Sequence, residues 1–200
     1  MTNKETNTTL NYYNTNSEEY FNSTKSINMT HLYKDFLNFI PPNGAILDLG
    51  CGSGRDSLYF KNKGYKITSV DGSKELANLA ESLLTEKVIV SNFEDLDLNI
   101  TYDGIWACAS LLHVKRDDLL KLLIKYSKNL NSNGVFYLSF KYGDTEHIDE
   151  KGRYFNCYTE STFRELIENV PEFKIISIYK STDTLVNRPN LTWLNILLSK

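Results

Sequence analysis

The chain has 200 residues, of which 41% are hydrophobic and 24% charged, a composition typical of one globular domain with a substantial apolar core. The 22 basic and 25 acidic residues give a net charge of -3, which argues against bulk electrostatic binding to nucleic acid. No apolar run approaches the roughly 20 residues that cross a bilayer, and no secretory signal is readable after Met1. The cysteines Cys51, Cys108 and Cys157 are odd in number and widely spaced, which predicts a cytoplasmic protein without a metal centre.

The first 28 residues differ in composition from the rest of the chain. They are rich in Asn, Thr and Ser, and such low hydrophobicity predicts a disordered leader. The same segment carries Tyr12, Tyr13 and Tyr20, however, and aromatic residues would suit a lid that folds over a ligand. Both interpretations stay open. We therefore divide the chain into a polar and aromatic segment, 1–28, and one domain, 29–200.

From residue 29 onward the hydrophobic pattern predicts alternating helices and strands. Apolar residues at intervals of three and four predict helices over 29–40, 55–62, 73–84, 117–129 and 159–169, with Ser73 and Thr159 as N-caps. Short apolar runs predict strands over 45–49, 65–70, 88–90, 103–107, 135–140, 173–179 and 191–198.

The order of these elements predicts one open α/β sheet. Strand–helix alternation is typical of a parallel sheet with right-handed crossovers and helices on both faces. The last two strands are separated only by residues 180–190, which leave no room for a helix. We therefore expect that pair to be antiparallel at the edge of the sheet.

Three glycines follow the first predicted strand in the run LDLGCGSGR, residues 47–55. Glycine allows a tight turn and lets a ligand approach main-chain N–H groups, at the edge where open α/β sheets bind nucleotides. Arg55 occupies the third small position of a dinucleotide fingerprint, and Asp48 precedes the loop, so both disfavour a pyrophosphate. Asp48 suits a cationic ligand instead. A bare strand-to-helix turn is the alternative interpretation.

Polar residues follow the next three strands. A carboxylate at Asp71 can accept both hydroxyls of a ribose, and the competing role of helix cap falls more naturally to Ser73. Asn92 and Phe93 suit an adenine edge, although a simple turn explains them nearly as well. His113 follows the small residues after the fourth strand and is either a base or a structural histidine.

In order along the chain, the runs LDLGCGSGRDSLYF, GYKITSVDGS, YDGIWACASLLHV and LNSNGVFYLSF resemble the class I S-adenosylmethionine-dependent methyltransferases. The run GCGSGRDSLYFKNKGY is similar to the small bacterial tellurite-resistance-type methyltransferases. The resemblance covers about residues 30–198. It implies a Rossmann-like sheet of seven strands in the order 3-2-1-4-5-7-6, with strand 7 antiparallel.

The resemblance also implies a cofactor, S-adenosyl-L-methionine, which leaves as S-adenosyl-L-homocysteine. Gly50, Gly52 and Gly54 would wrap its methionine part. Asp48 would lie near its ammonium group and Asp71 would hold its ribose. The other implied cofactor-binding residues are Cys51, Arg55, Gly72, Ser73, Asn92, Phe93, Cys108 and Ala109. Arg55 has two interpretations, one toward the cofactor carboxylate and one toward an anionic substrate.

The implied reaction is in-line transfer of a methyl group to a small molecule, because the insertions between elements are short. Tyr13 and His113 are the candidate catalytic residues. The candidate substrate-binding residues are Tyr12, Tyr20, Lys141, Arg153 and Tyr154, with Arg188 and Trp193 at the same rim, although these groups suit a solvated surface equally.

Alternative functions stay open. One is a tRNA- or protein-modifying methyltransferase that acts with a partner, and another is a non-catalytic module that binds S-adenosylmethionine. An NAD-dependent oxidoreductase is disfavoured by Asp48 and Arg55. A membrane partner is not expected, and the oligomeric state is open.

Overall fold

A computed structural model describes residues 4–184 and 191–200. The helices in this part of the chain are α1 (Lys4–Thr15), α2 (Ser17–Thr24), α3 (Thr30–Leu37), α4 (Arg55–Asn62), α5 (Lys74–Leu84), α6 (Arg116–Ser127) and α7 (Glu160–Ile167). The strands are β1 (Ala45–Leu49), β2 (Lys66–Asp71), β3 (Val88–Val90), β4 (Tyr102–Ala107), β5 (Leu130–Lys141), β6 (Glu146–Ile148), β7 (Tyr154–Asn156), β8 (Lys174–Thr182) and β9 (Thr192–Ser199). Arg188 lies outside the described residues.

Seven of these strands form one sheet in the order β3-β2-β1-β4-β5-β9-β8. The first five pair in parallel, whereas β9 runs antiparallel to both β5 and β8. The predicted order is confirmed once the short β6–β7 hairpin, which forms its own sheet, is set aside. The order reverses between β1 and β4, so the loops after these two strands border the crevice of the sheet.

Helices cover both faces of this sheet. On one face, helix α3 forms because apolar residues recur at helical spacing, and its Phe36 is fully buried against Phe60 and Trp106. Burial of one such aromatic side chain stabilises the fold by about 1.5–3 kcal/mol. On the other face, α6 packs Leu119 and Leu123 into a second and larger core.

Local capping signals read from the sequence are also present. The Ser73 hydroxyl accepts a hydrogen bond from the Leu76 N–H and begins α5. Thr159 and Thr162 form a reciprocal capping box at the start of α7. Each such cap contributes about 0.5–2 kcal/mol.

Two parts of the fold differ from the sequence expectations. Residues 4–24 form two helices where a disordered leader was one of the two interpretations. The β6–β7 hairpin lies in a stretch for which no strand is predicted. In addition, helix 29–40 is shorter than expected and ends at Leu37, while β5 begins five residues early, at Leu130. Within the described ranges, no helix combines the length and the apolar character that a bilayer crossing requires.

Gly104 provides a test of how α3 packs on the sheet. A Cβ atom at this position would lie 2.5 Å from both Phe36 Cζ and Ile40 Cδ1. We expect Gly104→Ala to lower the free energy of unfolding by about 1–3 kcal/mol through overpacking. Chemical denaturation measures the free energy of unfolding of each variant. The control is Ser82→Ala at an exposed position of α5, which should change the free energy of unfolding by less than about 0.5 kcal/mol. Equal stabilities for the two variants would contradict the described packing.

Candidate active site

The glycine loop after β1 is held tightly against its neighbours. The N–H groups of Gly50 and Cys51 both donate to the Val70 carbonyl at 2.8 and 2.9 Å, which ties the loop to β2. Gly50 has φ +85°, and a Cβ there would lie 2.4 Å from Ser110 Cβ. Only glycine fits this position, because both the backbone angle and the close approach exclude a side chain.

Asp71 stands at the carboxyl end of β2 and faces the glycine loop. Its Oδ2 accepts from the Gly52 N–H and its Oδ1 accepts from the Ser73 N–H, each at 2.8 Å. Burial raises the pKa of Asp71, and the two backbone donors partly oppose that rise. A carboxylate has about four acceptor sites, so lone pairs remain for a further donor.

A first cavity of about 80 Å³ opens beside this carboxylate. Its walls come from the ends of β1, β2, β3 and β4 and from the two N-terminal helices. The lining residues are Thr6, Thr9, Leu10, Tyr13, Tyr20, Gly50, Gly52, Asp71, Gly72, Leu76, Ser91, Asn92, Phe93, Glu94, Ala109, Ser110, His113 and Val114. The predicted residues Gly50, Gly52, Asp71, Gly72, Asn92, Phe93 and Ala109 are therefore brought together.

A second cavity, of about 150 Å³, adjoins the first. Its walls come from α2, α4, the end of β5, the β7 strand and the β8–β9 edge. Among its lining residues are Met29, His31, Arg55, Cys108, Leu112, Ser139, Lys141, Arg153, Phe155, Asp183, Trp193 and Asn195. Tyr13, Tyr20, Ala109 and His113 line both cavities and form the wall between them.

Other predicted site residues support the cavities from behind. The Asp48 side chain is buried and its Oδ2 accepts from Ser57 Oγ at 2.6 Å. Gly54 packs against Ala80 and Leu84 of α5, and Cys51 is buried in the same small cluster. Neither cavity is lined by Asp48, Cys51, Gly54 or Ser73.

Some of the expected substrate-binding residues line a cavity, and others lie behind it. Lys141 and Arg153 line the second cavity, where Lys141 Nζ lies 3.2 Å from the centroid of the Phe155 ring. Tyr12 and Tyr154 line neither cavity. The Tyr12 ring lies under the Arg153 guanidinium, and the Tyr154 hydroxyl donates to Glu146. Cys108, expected beside the cofactor, lines the second cavity instead of the first.

Arg55 is held at the second cavity by the buried carboxylate of Asp56, a residue that sequence reasoning did not single out. The Asp56 carboxylate accepts hydrogen bonds from Arg55 Nε and Nη2 at 2.6 and 3.0 Å. It also accepts hydrogen bonds from the Tyr33 hydroxyl and from Trp106 Nε1. Burial alone would raise the pKa of Asp56, but the Arg55 charge and these hydrogen bonds outweigh it and lower the pKa. Asp56 is thus an ionised group under the cavity floor.

Helix α1 is attached to the rest of the site at several points. Thr9 Oγ1 accepts from the Tyr154 N–H at 3.0 Å, and Asn14 Oδ1 accepts from Ser73 Oγ at 2.7 Å. Lys115 and Glu5 form an ion pair at 3.1 Å. Sequence reasoning missed Thr9 and Asn14. The helical spacing of Thr6, Thr9, Leu10 and Tyr13, which share the face toward the first cavity, was the available signal.

The architecture defines a class: it is the sheet and crevice of the class I, Rossmann-like methyltransferases. One solved neighbour is the Burkholderia thailandensis 1,6-didemethyltoxoflavin-N1-methyltransferase with bound 1,6-didemethyltoxoflavin and S-adenosylhomocysteine. It has a TM-score of 0.79 at 20% identity, with 97% of this chain and 88% of that chain covered. The crystal structure of TehB from Haemophilus influenzae has a TM-score of 0.70 at 19% identity, with 94% of this chain and 67% of that chain covered.

The particular family follows from the sequence match. The family model described as "Tellurite resistance protein TehB" matches residues 13–181, and the chain belongs to that family. A relative from Haemophilus influenzae (strain 10810), "Probable S-adenosyl-L-methionine-dependent methyltransferase TehB", is 30% identical over 134 residues, which are 63% of this chain and 46% of the relative. The chain spans about half the length of the curated relatives it matches.

Asp48 makes the stability depend on pH in a direction that can be measured. Burial, followed by the neighbouring Asp56 charge, raises the pKa of Asp48. The native carboxyl therefore keeps a proton that the unfolded chain loses above about pH 4, and stability falls as pH rises toward the native pKa. In Asp48→Asn this decline should be smaller by up to about 1.4 kcal/mol per pH unit.

Denaturation at several pH values from 5 to 9 checks the Asp48 prediction. Asp97→Asn, which neutralises an exposed carboxyl, is the control for the loss of one charge. A decline as steep in Asp48→Asn as in the parent chain would contradict the raised pKa.

Proposed function

We propose that this protein is a methyltransferase that moves a methyl group from S-adenosyl-L-methionine to a small molecule. The observation that carries the proposal is the pair of adjoining cavities, with Tyr13, Tyr20, Ala109 and His113 as their common wall. Such an arrangement suits a donor in the first cavity and an acceptor in the second. The two reacting atoms would then meet at the shared wall.

The residues of the first cavity fit this cofactor. Gly50 and Gly52 line the first cavity without side chains, so the methionine part of the molecule could approach the main chain of the loop closely. Asp71 offers lone pairs for ribose hydroxyls, while Asn92 and Phe93 border the place for an adenine ring. Asp48, Cys51, Gly54 and Ser73 would act indirectly, because they shape the loop and helix ends behind the cavity.

The cofactor supplies a methyl group that its positively charged sulfur has already activated. The protein therefore needs mainly to align the acceptor and to exclude water. In this proposal the shared wall aligns the acceptor, and helices α1 and α2 exclude water. The rings of Tyr13 and Tyr20, 5.1 Å apart at 83°, would surround the sulfonium with aromatic groups.

The acceptor cavity supports a small-molecule substrate. The second cavity, of about 150 Å³, is on the scale of a small molecule and not of a nucleic-acid segment. Arg55, Lys141 and Arg153 supply polar recognition at its wall, and Trp193 would contribute its ring. The three cysteines are free, which supports a reducing cytoplasm as the location.

Cofactor binding tests the first half of the proposal. We expect S-adenosylhomocysteine to raise the melting temperature and NAD to leave it unchanged. Asp71→Asn should weaken S-adenosylhomocysteine binding about 10- to 100-fold in calorimetry, since a hydrogen bond to a charged group contributes about 1.5–3 kcal/mol. Asp97→Asn, which removes an exposed carboxyl that lines neither cavity, is the matched control. A response to NAD alone would contradict the proposal.

The decisive experiment adds cofactor with a labelled methyl group and a metabolite extract to the protein. We expect label in the small-molecule fraction. Label in RNA or protein would favour the modifying enzyme that acts with a partner. Binding of S-adenosylhomocysteine without any transfer would favour the non-catalytic module.

We also propose that residues 1–28 act as a lid on the domain formed by 29–200. The support is that α1 and α2 contribute five of the side chains that line the first cavity: Thr6, Thr9, Leu10, Tyr13 and Tyr20. Removal of residues 1–24 should weaken S-adenosylhomocysteine binding at least about tenfold, because it opens the cavity to water. Asn14→Ala, which removes the hydrogen bonds from Ser73 Oγ and the Glu75 N–H, should weaken binding by a smaller factor. Unchanged affinity in both variants would exclude the lid.

A further inference from the structure

A chain of hydrogen bonds runs from Tyr13 through His113 to the main chain. The Tyr13 hydroxyl lies 2.9 Å from His113 Nε2, and His113 Nδ1 lies 2.6 Å from the Tyr154 carbonyl oxygen. A carbonyl only accepts, so Nδ1 carries the proton. In the neutral ring Nε2 is then an acceptor, and the Tyr13 hydroxyl donates to it.

The imidazole is held in this neutral form by its surroundings. Burial lowers the pKa of His113 to about 4, the Tyr154 carbonyl opposes that change, and the positive charges of Arg153 and Lys141 add to it. Asp149, which is paired with Arg153 at 2.7 Å, is the acidic group that opposes it. At neutral pH His113 is therefore uncharged and can accept one proton at Nε2.

The pair lies where the two cavities meet. Both Tyr13 and His113 line the first and the second cavity. Because its proton is donated to Nε2, the Tyr13 oxygen offers only lone pairs to a molecule in either cavity. A molecule that binds there is therefore recognised through a hydrogen that it donates. Burial and the neighbouring Tyr20 raise the pKa of Tyr13 and outweigh the opposing Arg153 charge, so the Tyr13 hydroxyl keeps its proton at neutral pH and donates it to Nε2.

We propose that Tyr13 and His113 act as one proton acceptor for the methyl transfer, and that the acceptor molecule accordingly carries a hydrogen on its nucleophilic atom. This inference rests on the proposed function and narrows its substrate class. Thiols, hydroxyl groups and weakly basic N–H groups fit the class. Anions that have no proton to lose do not.

The proposed step conserves atoms and charge. The nucleophilic atom forms a bond to the methyl carbon with its lone pair, and the carbon–sulfur electron pair stays on sulfur. The proton of the nucleophile passes to the Tyr13 oxygen while the Tyr13 proton passes to His113 Nε2. The sulfonium charge is thereby replaced by an imidazolium charge, and the proton leaves to water when the site opens.

A weakly basic imidazole is sufficient for this step. As the nucleophile gains the methyl group it becomes positively charged, and its proton becomes strongly acidic. Proton removal of this kind contributes about 10²–10⁴-fold to a rate. The bond from Nδ1 to Tyr154 keeps the ring in the orientation that leaves Nε2 available.

Three substitutions separate proton transfer from simple positioning. Tyr13→Phe removes the hydroxyl and keeps the ring. His113→Asn keeps an N–H for the Tyr154 carbonyl but removes Nε2, whereas His113→Gln supplies an oxygen that accepts from Tyr13 and takes no proton. Each should lower the initial rate of label transfer to the metabolite extract by about 100-fold or more at pH 7. The combined variant Tyr13→Phe with His113→Asn should lose no more than either alone, because the pair acts as a unit.

The pH profile and cofactor affinity complete the kinetic test. In the variants the remaining rate should rise about tenfold per pH unit, because the acceptor must then ionise in water before it reacts. In Tyr13→Phe, which keeps the ring in the first cavity, S-adenosylhomocysteine affinity should fall by a much smaller factor than the rate. A His113→Gln variant with parent-like rate would overturn the proton transfer and leave only a positioning role.

A measurement independent of activity is available because the chain has only three histidines. Nitrogen NMR of the histidine-labelled protein should show one ring, absent in His113→Asn, that is neutral with its proton on Nδ1 at pH 6. Tyr13→Phe should shift the Nε2 signal of that ring. A proton on Nε2 instead would overturn the proposal whatever the activity, whereas a parent protein without transfer to any acceptor would contradict the proposed function itself.

Discussion

The close approach of two loops at the centre of the sheet sets the geometry of both cavities. Strands β1 and β4 are neighbours, and the loops that follow them touch at Gly50 and Ser110. The Ser110 hydroxyl donates to the Leu49 carbonyl at 2.6 Å and fixes the contact. Ala109, with φ +52°, is turned by the same loop into the wall between the cavities. A bulkier residue at Gly50 would separate the loops and displace that wall.

Two buried carboxyl groups beneath these loops are held in different charge states. Asp48 accepts a hydrogen bond from the Ser57 hydroxyl, and burial and the Asp56 charge raise its pKa, whereas Asp56 pairs with Arg55 and its pKa is lowered. The burial is similar, so the partners decide the difference. One of the two carboxyls thus adds no charge to the interior. The other compensates the Arg55 guanidinium at the wall of the second cavity, so the pair of Arg55 and Asp56 stays near neutral.

Much of the sheet could be predicted from sequence, since its strands are short apolar runs with clear boundaries. The bounds of β1 and β3 agree residue for residue with the prediction, and the glycine loop and Asp71 lie together as expected. The failures have physical causes. Helix α1 buries Thr9 and turns the half-buried Thr6 and Leu10 toward the first cavity, without a continuous apolar stripe, so hydropathy does not reveal it. The β6 strand has only exposed side chains and carries no apolar signal.

Side-chain assignments were harder than strand positions because they depend on which partner a group finds. Cys108 lies in the turn after β4, beside Ala109 with its left-handed backbone, and its side chain lines the second cavity. Tyr12 and Tyr13 are adjacent in sequence, yet on a helix they point about 100° apart, and only Tyr13 reaches the shared wall. Tyr154 acts through its carbonyl, a group that every residue has and that sequence does not distinguish.

The attachment of Asn14 to the start of α5 has a consequence for the order of events during turnover. Any outward swing of α1 breaks the contact with Ser73 and takes Tyr13 away from His113 in the same movement. If α1 is the lid that we propose, a donor would reach the first cavity only while Tyr13 and His113 are apart. Under that proposal, such a linkage would favour an ordered kinetic sequence in which the donor enters before the acceptor. It would also shield the activated methyl group, because Tyr13 and His113 would meet only when the first cavity is closed to bulk solvent.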